Sequence, residues 1–168
     1  YCHGYVAATS KVLSVGYPSL RQVWLGQGYA WAASSYRANG YIPGTGALDT
    51  HRLIDLFKEK VGKPKRVYIV GASLGGHVTG VSIEQWPKSY AGALAICGVM
   101  GGNDLWDYFQ DAYITAETLA WGEVQAPTPA DYATNGWLLT RAELSFSPTE
   151  PFPWYLSPKG ELYKGIIK

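Results

Sequence analysis

A chain of 168 residues has room for one domain with a sizeable core, and its composition, 47% hydrophobic and 16% charged, is that of a globular protein. A formal net charge of +1, with scattered Lys and Arg and three histidines, gives neither a basic footprint for nucleic acid nor an acidic tail. The longest apolar stretch, Ala91 to Met100, is about half of the roughly 20 residues that span a bilayer, so no transmembrane segment is expected.

In chain order, Tyr29 to Ser34 (YAWAAS) is a short apolar run after Gly26 and Gly28, and reads as a buried strand. Arg37 to Gly46 is rich in Gly, Pro and Asn and reads as a loop. Leu48, Leu53, Ile54, Phe57 and Val61 then recur near helical spacing, with Lys58 and Lys60 suiting a helix C-terminus and Gly62 and Pro64 ending it. Arg66 to Val70 (RVYIV) is a β-branched, aromatic run and is expected to be a buried strand. Ala72 to Gln85 reads as a turn into a helix stopped by Pro87, and Ala91 to Cys97 as a further buried strand. Alternating strands and helices imply a mostly parallel sheet with helices on both faces.

Beyond Gly102 the character changes, which divides the chain into residues 1–102 and 103–168. Asn103 to Trp121 looks helical and aromatic. From Ala126 onward six prolines and little periodicity suggest a cap (lid) or an irregular segment. Cys2 and Cys97 form neither a disulfide framework nor a zinc pattern.

The residues that carry chemistry are Gly71-Ala72-Ser73-Leu74-Gly75. A G-x-S-x-G pattern is weak evidence in a chain with 20 glycines, but here it follows a strand and opens a helix. That context makes Ser73 a candidate nucleophile on a sharp, strained turn. Gly71 and Gly75 would let strand and helix approach closely, and the helix N-terminus would place a positive field where an oxyanion forms. Upstream, His3-Gly4-Tyr5 has the form of a segment that supplies an oxyanion-hole amide.

Together YCHGY, GYAWAASSYRANGY, KRVYIVGASLGGH and AGALAICGVMGG resemble bacterial α/β-hydrolases of the serine-esterase type, many of them secreted. The resemblance runs from Tyr1 to about Trp121 and fades in the proline-rich tail. It implies a partial α/β-hydrolase fold and an extracellular setting. Small-molecule carboxylic esters would be hydrolysed through an acyl-enzyme on Ser73, with the amides of Tyr5 and Leu74 holding the oxyanion. No metal or organic cofactor is implied.

A serine hydrolase also needs a base and a carboxylate that orients it, in this fold after the nucleophile. No histidine follows His77. His77, four residues past Ser73, is expected to pack or face solvent; His51 reads as a surface or capping residue, and His3 as a maker of a structural hydrogen bond. Asp104 is a conceivable acid, while Asp107 and Asp111 look like solvated helix positions. In the family's sheet the strand before the oxyanion segment lies between YAWAAS and RVYIV, and only Tyr1 and Cys2 of it are present. The chain therefore reads as an internal fragment of a longer enzyme, unable to complete the catalytic cycle. The same order puts Cys2 and Cys97 two strands apart, about 9.6 Å. A disulfide tolerates roughly 7 Å between Cα atoms, so no bond between them is expected.

Trp106, Tyr108, Phe109, Tyr113 and Trp121 could line an acyl site but read more readily as core. Two other functions compete: a prolyl-oligopeptidase-type serine peptidase, which shares the elbow, and a non-catalytic binding protein of the same fold.

Overall fold

The computed structural model describes residues 1–124, 144 and 156–167. These form two units, Tyr1–Met100 and Gly101–Lys168.

In the first unit, a short helix α1 (Arg21–Gly26) is followed by α2 (Pro43–Lys60), β1 (Tyr68–Ala72), α3 (Leu74–Gln85) and β2 (Gly92–Ile96). β1 and β2 pair in parallel from Tyr68↔Gly92 to Ala72↔Ile96. On the other edge of β1, Cys2 makes a parallel bridge to Gly71, its N–H donating to Val70 O at 2.8 Å. α3 packs on both strands and α2 packs on α3. The core sits among them: Cys2, Tyr36, Ala47, Ile69, Leu74 and Val78.

α2 begins inside the stretch whose Gly and Pro content predicts a loop. Pro43 takes the first helical position, where its missing N–H costs nothing. Gly46 is a poor helix former but is needed for packing. A Cβ there would lie 3.0 Å from Val78 Cγ2 and 3.3 Å from Tyr36 Cε1, so glycine lets α2 approach α3. The buried side of α2 is consequently Gly46, Ala47 and Thr50, with Leu53, Ile54 and Phe57 half-buried. Val61, expected on that face, lies beyond the helix and is 70% exposed. Lys58 and Lys60 do occupy the last turn, where their charge complements the helix dipole.

α3 is buried on several sides, at Leu74, Gly75, Gly76, Val78, Thr79 and Ser82. Its two buried hydroxyls are satisfied within the helix: Thr79 Oγ1 donates to Gly75 O at 2.9 Å and Ser82 Oγ to Val78 O at 2.7 Å.

Two strand expectations need correction. Residues 29–34 are neither a strand nor buried. They reach the strand region through the Tyr1 amine, which donates to Ala32 O at 2.7 Å, and through the Tyr29 ring, edge-on to Tyr68 of β1 with centroids 6.1 Å apart. A strand needs a ladder, and among the described residues the backbone of 29–34 joins none. Between residues 29–32, α2 and the N-terminal half of β1 lies a cleft of about 930 Å³. Trp24, Trp31, Leu53, Phe57, Tyr68 and Tyr90 line it, and none of the candidate site residues does. β2, in turn, is apolar but exposed, Leu94 by 50% and Ile96 by 40%. Among the described residues it has a strand partner on one edge alone.

In the second unit, α4 (Gly102–Trp121) ends at Gly122, which adopts the left-handed conformation of a helix C-cap. Asp104, Asp107 and Asp111 are exposed on it. Trp106, Tyr108 and Phe109 are about half exposed rather than core, because the first half of α4 buries no residue. α5 (Pro158–Ile166) was not legible from periodicity, yet it carries a start signal. Ser157 caps it, its Oγ accepting from Gly160 N at 3.1 Å, and Pro158 follows. Lys159 Nζ donates to Ala120 O at 2.7 Å, joining α5 to the end of α4. Most of the expected cap or irregular segment, residues 125–143 and 145–155, lies outside the described residues. No helix among the described residues is long and apolar enough to cross a membrane.

Candidate active site

Ser73 stands between β1 and α3 with φ 57° and ψ −123°. That is the mirror image of extended polyproline backbone, a region native to glycine and costly for any residue with a Cβ. The turn is held from three directions. Ser73 N–H donates to Ile96 O at 2.9 Å, while Ser73 O accepts from Gly76 N at 2.9 Å and His77 N at 3.2 Å. The result is an exposed hydroxyl-bearing residue at the C-terminal edge of a parallel pair, immediately before a helix N-terminus.

The glycines around it are demanded by contact distances. A Cβ on Gly71 would fall 2.0 Å from Gly75 O and 2.8 Å from Cys2 Cβ; one on Gly75 would fall 2.0 Å from Cys2 O and 2.8 Å from His3 O. Gly76 is equally constrained, with Gly98 Cα 2.7 Å away from any added Cβ. β1, α3 and the Cys2–His3 segment therefore meet backbone to backbone.

That meeting brings the His3-Gly4-Tyr5 segment beside the serine: a Cβ built on Gly4 would lie 3.7 Å from Ser73 Cβ. Leu74 is the first residue of α3, so its N–H has no acceptor within the helix and is free to face an anion. Tyr5 is exposed.

A residue not singled out from sequence supports this segment. Tyr36 is 2% exposed, has φ 54°, stacks on the His3 ring with centroids 4.0 Å apart, and donates its hydroxyl to His3 O at 3.1 Å. Burial pushes its phenol well above the ordinary range, so the donor proton stays in place. Its signal in the sequence is the Ser34-Ser35-Tyr36 stretch.

The histidines are each engaged. His3 Nδ1 lies 2.8 Å from Gly4 O, a structural hydrogen bond, and the residue is 6% exposed. His51 is no surface cap. Its ring stacks on Trp86 at 4.2 Å and 7°, its Nδ1 lies 3.3 Å from Tyr90 Oη, and burial lowers its pKa. His77 Nδ1 is 2.6 Å from Tyr41 Oη. Asp104 belongs to the second unit, in the first turn of α4. Cys2 and Cys97 are both free thiols, the first buried and the second exposed. No group of three His, Cys, Asp or Glu side chains among the described residues converges as a metal cage.

The sequence profile of the prolyl oligopeptidase family matches residues 21–138, a span that includes β1, Ser73, α3, β2 and α4. The chain belongs to that family. It is accordingly a serine hydrolase of the α/β-hydrolase type, with a partial α/β-hydrolase fold. No curated protein and no solved structure matches it. The prolyl oligopeptidase match covers the elbow but starts after the His3–Tyr5 segment, which rests on its contacts with Ser73 alone.

Proposed function

We propose that Ser73 is the nucleophile of a peptidase-type acyl transfer. Its Oγ attacks a peptide carbonyl, and the amides of Tyr5 and Leu74 receive the oxyanion. The amine leaves with the proton taken from the hydroxyl, and water then releases the acyl group. The observation that carries this reading is the strained Ser73 backbone at the helix N-terminus: strain of this kind persists where surrounding contacts enforce it, and it aims the side chain away from the sheet. None of His3, His51 or His77 is assigned as the base. Peptides are favoured over carboxylic esters because the family match is to oligopeptidases.

The test treats the protein, isolated from its source, with a fluorophosphonate and maps the modified residue. Phosphonylation at Ser73, with fluoride released, is expected, and none in Ser73→Ala. An unmodified Ser73 would sink the assignment. Matched peptide 4-nitroanilide and 4-nitrophenyl ester substrates then separate the classes: cleavage of the ester alone would select the carboxylic-ester hydrolase.

A further inference from the structure

Tyr41 lies just before α2, and its hydroxyl reaches two other elements. It is 2.6 Å from His77 Nδ1 on α3 and 3.2 Å from Val99 O, in the turn after β2. A phenol has one proton, and a carbonyl can only accept. Both contacts are hydrogen bonds only when Tyr41 donates to Val99 and His77 donates its Nδ1–H to the phenol oxygen. Burial holds the Tyr41 phenol above its ordinary pKa, consistent with a retained proton. The arrangement thus selects one tautomer of His77.

The turn being held is tight. Cys97 has φ 47°, and Met100 N–H donates to Gly98 O at 3.0 Å, two residues back. The turn lies along α3. Gly98 approaches Gly76, and Met100 Sδ would sit 2.8 Å from a Cβ on Gly80. At its root is Ile96, whose carbonyl takes the Ser73 N–H. A strained turn of this kind stays in place only while its surroundings over-determine it.

We propose that Tyr41 is a positioning residue: through a His77 fixed as the Nδ1–H tautomer and through the Val99 carbonyl, it clamps the 97–100 turn onto α3 and so holds the backbone of Ser73. Its importance for catalysis rests on the reading of Ser73 as nucleophile; the clamp itself is tested apart from activity.

Long-range proton–nitrogen correlation on the 15N-labelled chain reads the tautomer. A protonated Nδ1 and bare Nε2 on His77 are expected in the wild type; the Nε2–H form would overturn the clamp. Tyr41→Phe deletes one oxygen and keeps the ring. It should speed hydrogen exchange at Ser73 and Met100 about tenfold while leaving Leu53 and Phe57 of α2 unchanged, the size expected for one lost hydrogen bond. Equal rates at Ser73 in both proteins would refute positioning. His77→Asn, whose amide offers an N–H near the Nδ1 position, should retain slow exchange, and His77→Leu should not; the reverse order would also count against the proposal. If Ser73 resists fluorophosphonate while this exchange pattern holds, the nucleophile reading fails and the clamp stands.

Discussion

Ser73 and Cys97 are the residues that follow the last register pair of the sheet, Ala72↔Ile96, and both have positive φ, 57° and 47°. Two non-glycine residues in the left half of conformational space thus face each other across the ends of parallel strands. Each such residue costs about 1–3 kcal/mol. The link between them is the bond from Ser73 N–H to Ile96 O, one residue before Cys97.

Strain at Ser73 is testable by substitution. Ser73→Ala and Ser73→Gly both remove the hydroxyl, but only glycine is at home at φ 57° and ψ −123°. Glycine also loosens the unfolded chain, which offsets part of the relief. Urea unfolding should find Ser73→Gly more stable than Ser73→Ala by about 1 kcal/mol. A less stable glycine variant would mean the turn is not strained.

The elbow was legible in the sequence because its physics writes itself locally. A buried strand, a forced turn and a helix N-terminus occupy consecutive residues, and close backbone approach admits only glycine at Gly71 and Gly75. Residues 29–34 failed for the opposite reason: an apolar run becomes a strand only when partners exist on its edges. The first turn of α2 was hidden because Pro43 and Gly46 look like loop residues, and the packing that makes glycine necessary involves Tyr36 and Val78. Tyr41 and His77 meet across 36 positions of sequence, a separation at which periodicity carries no signal.

The glycine contacts separate required positions from permissive ones. Gly71→Ala and Gly75→Ala each drive a Cβ to within 2.0 Å of a backbone carbonyl oxygen. Each should cost about 3 kcal/mol or more, because backbone rather than a side chain must move. Gly44, in the first turn of α2, has nothing within 4 Å of its added Cβ. Gly44→Ala should instead stabilise by about 0.5–1 kcal/mol. Denaturant midpoints of the three variants check both signs together.

The thiols should behave as two distinct populations. Cys97 is exposed, whereas Cys2 is buried, its Sγ 3.8 Å from Thr50 Oγ1, and burial pushes its pKa up. The thiolate is the reactive form, so Cys2 is doubly protected. Titration with an aromatic disulfide reagent near pH 8 should consume Cys97 promptly and reach Cys2 only on unfolding. Prompt reaction of neither would point to a disulfide, against the free state of both.

Acid should act through Asp49. The Arg37 side chain, with Nε 3.0 Å from Asp49 Oδ1, and the Arg37 N–H, 2.9 Å from Oδ2, hold the carboxyl below its ordinary pKa, helped by the charge of Arg52. The pair ties the loop after Tyr36 to α2. A carboxylate whose folded pKa is depressed contributes stability above its unfolded pKa of about 3.9, and that contribution is lost as pH falls through the folded value. Asp49→Asn keeps a similar shape and loses the charge. It should therefore be less stable than the wild type at neutral pH, with the gap closing as pH falls below about 4. Urea midpoints for both proteins across that range give the answer. A gap that stays constant into acid would assign the anchoring to the neutral hydrogen bonds of Asp49 rather than to its charge.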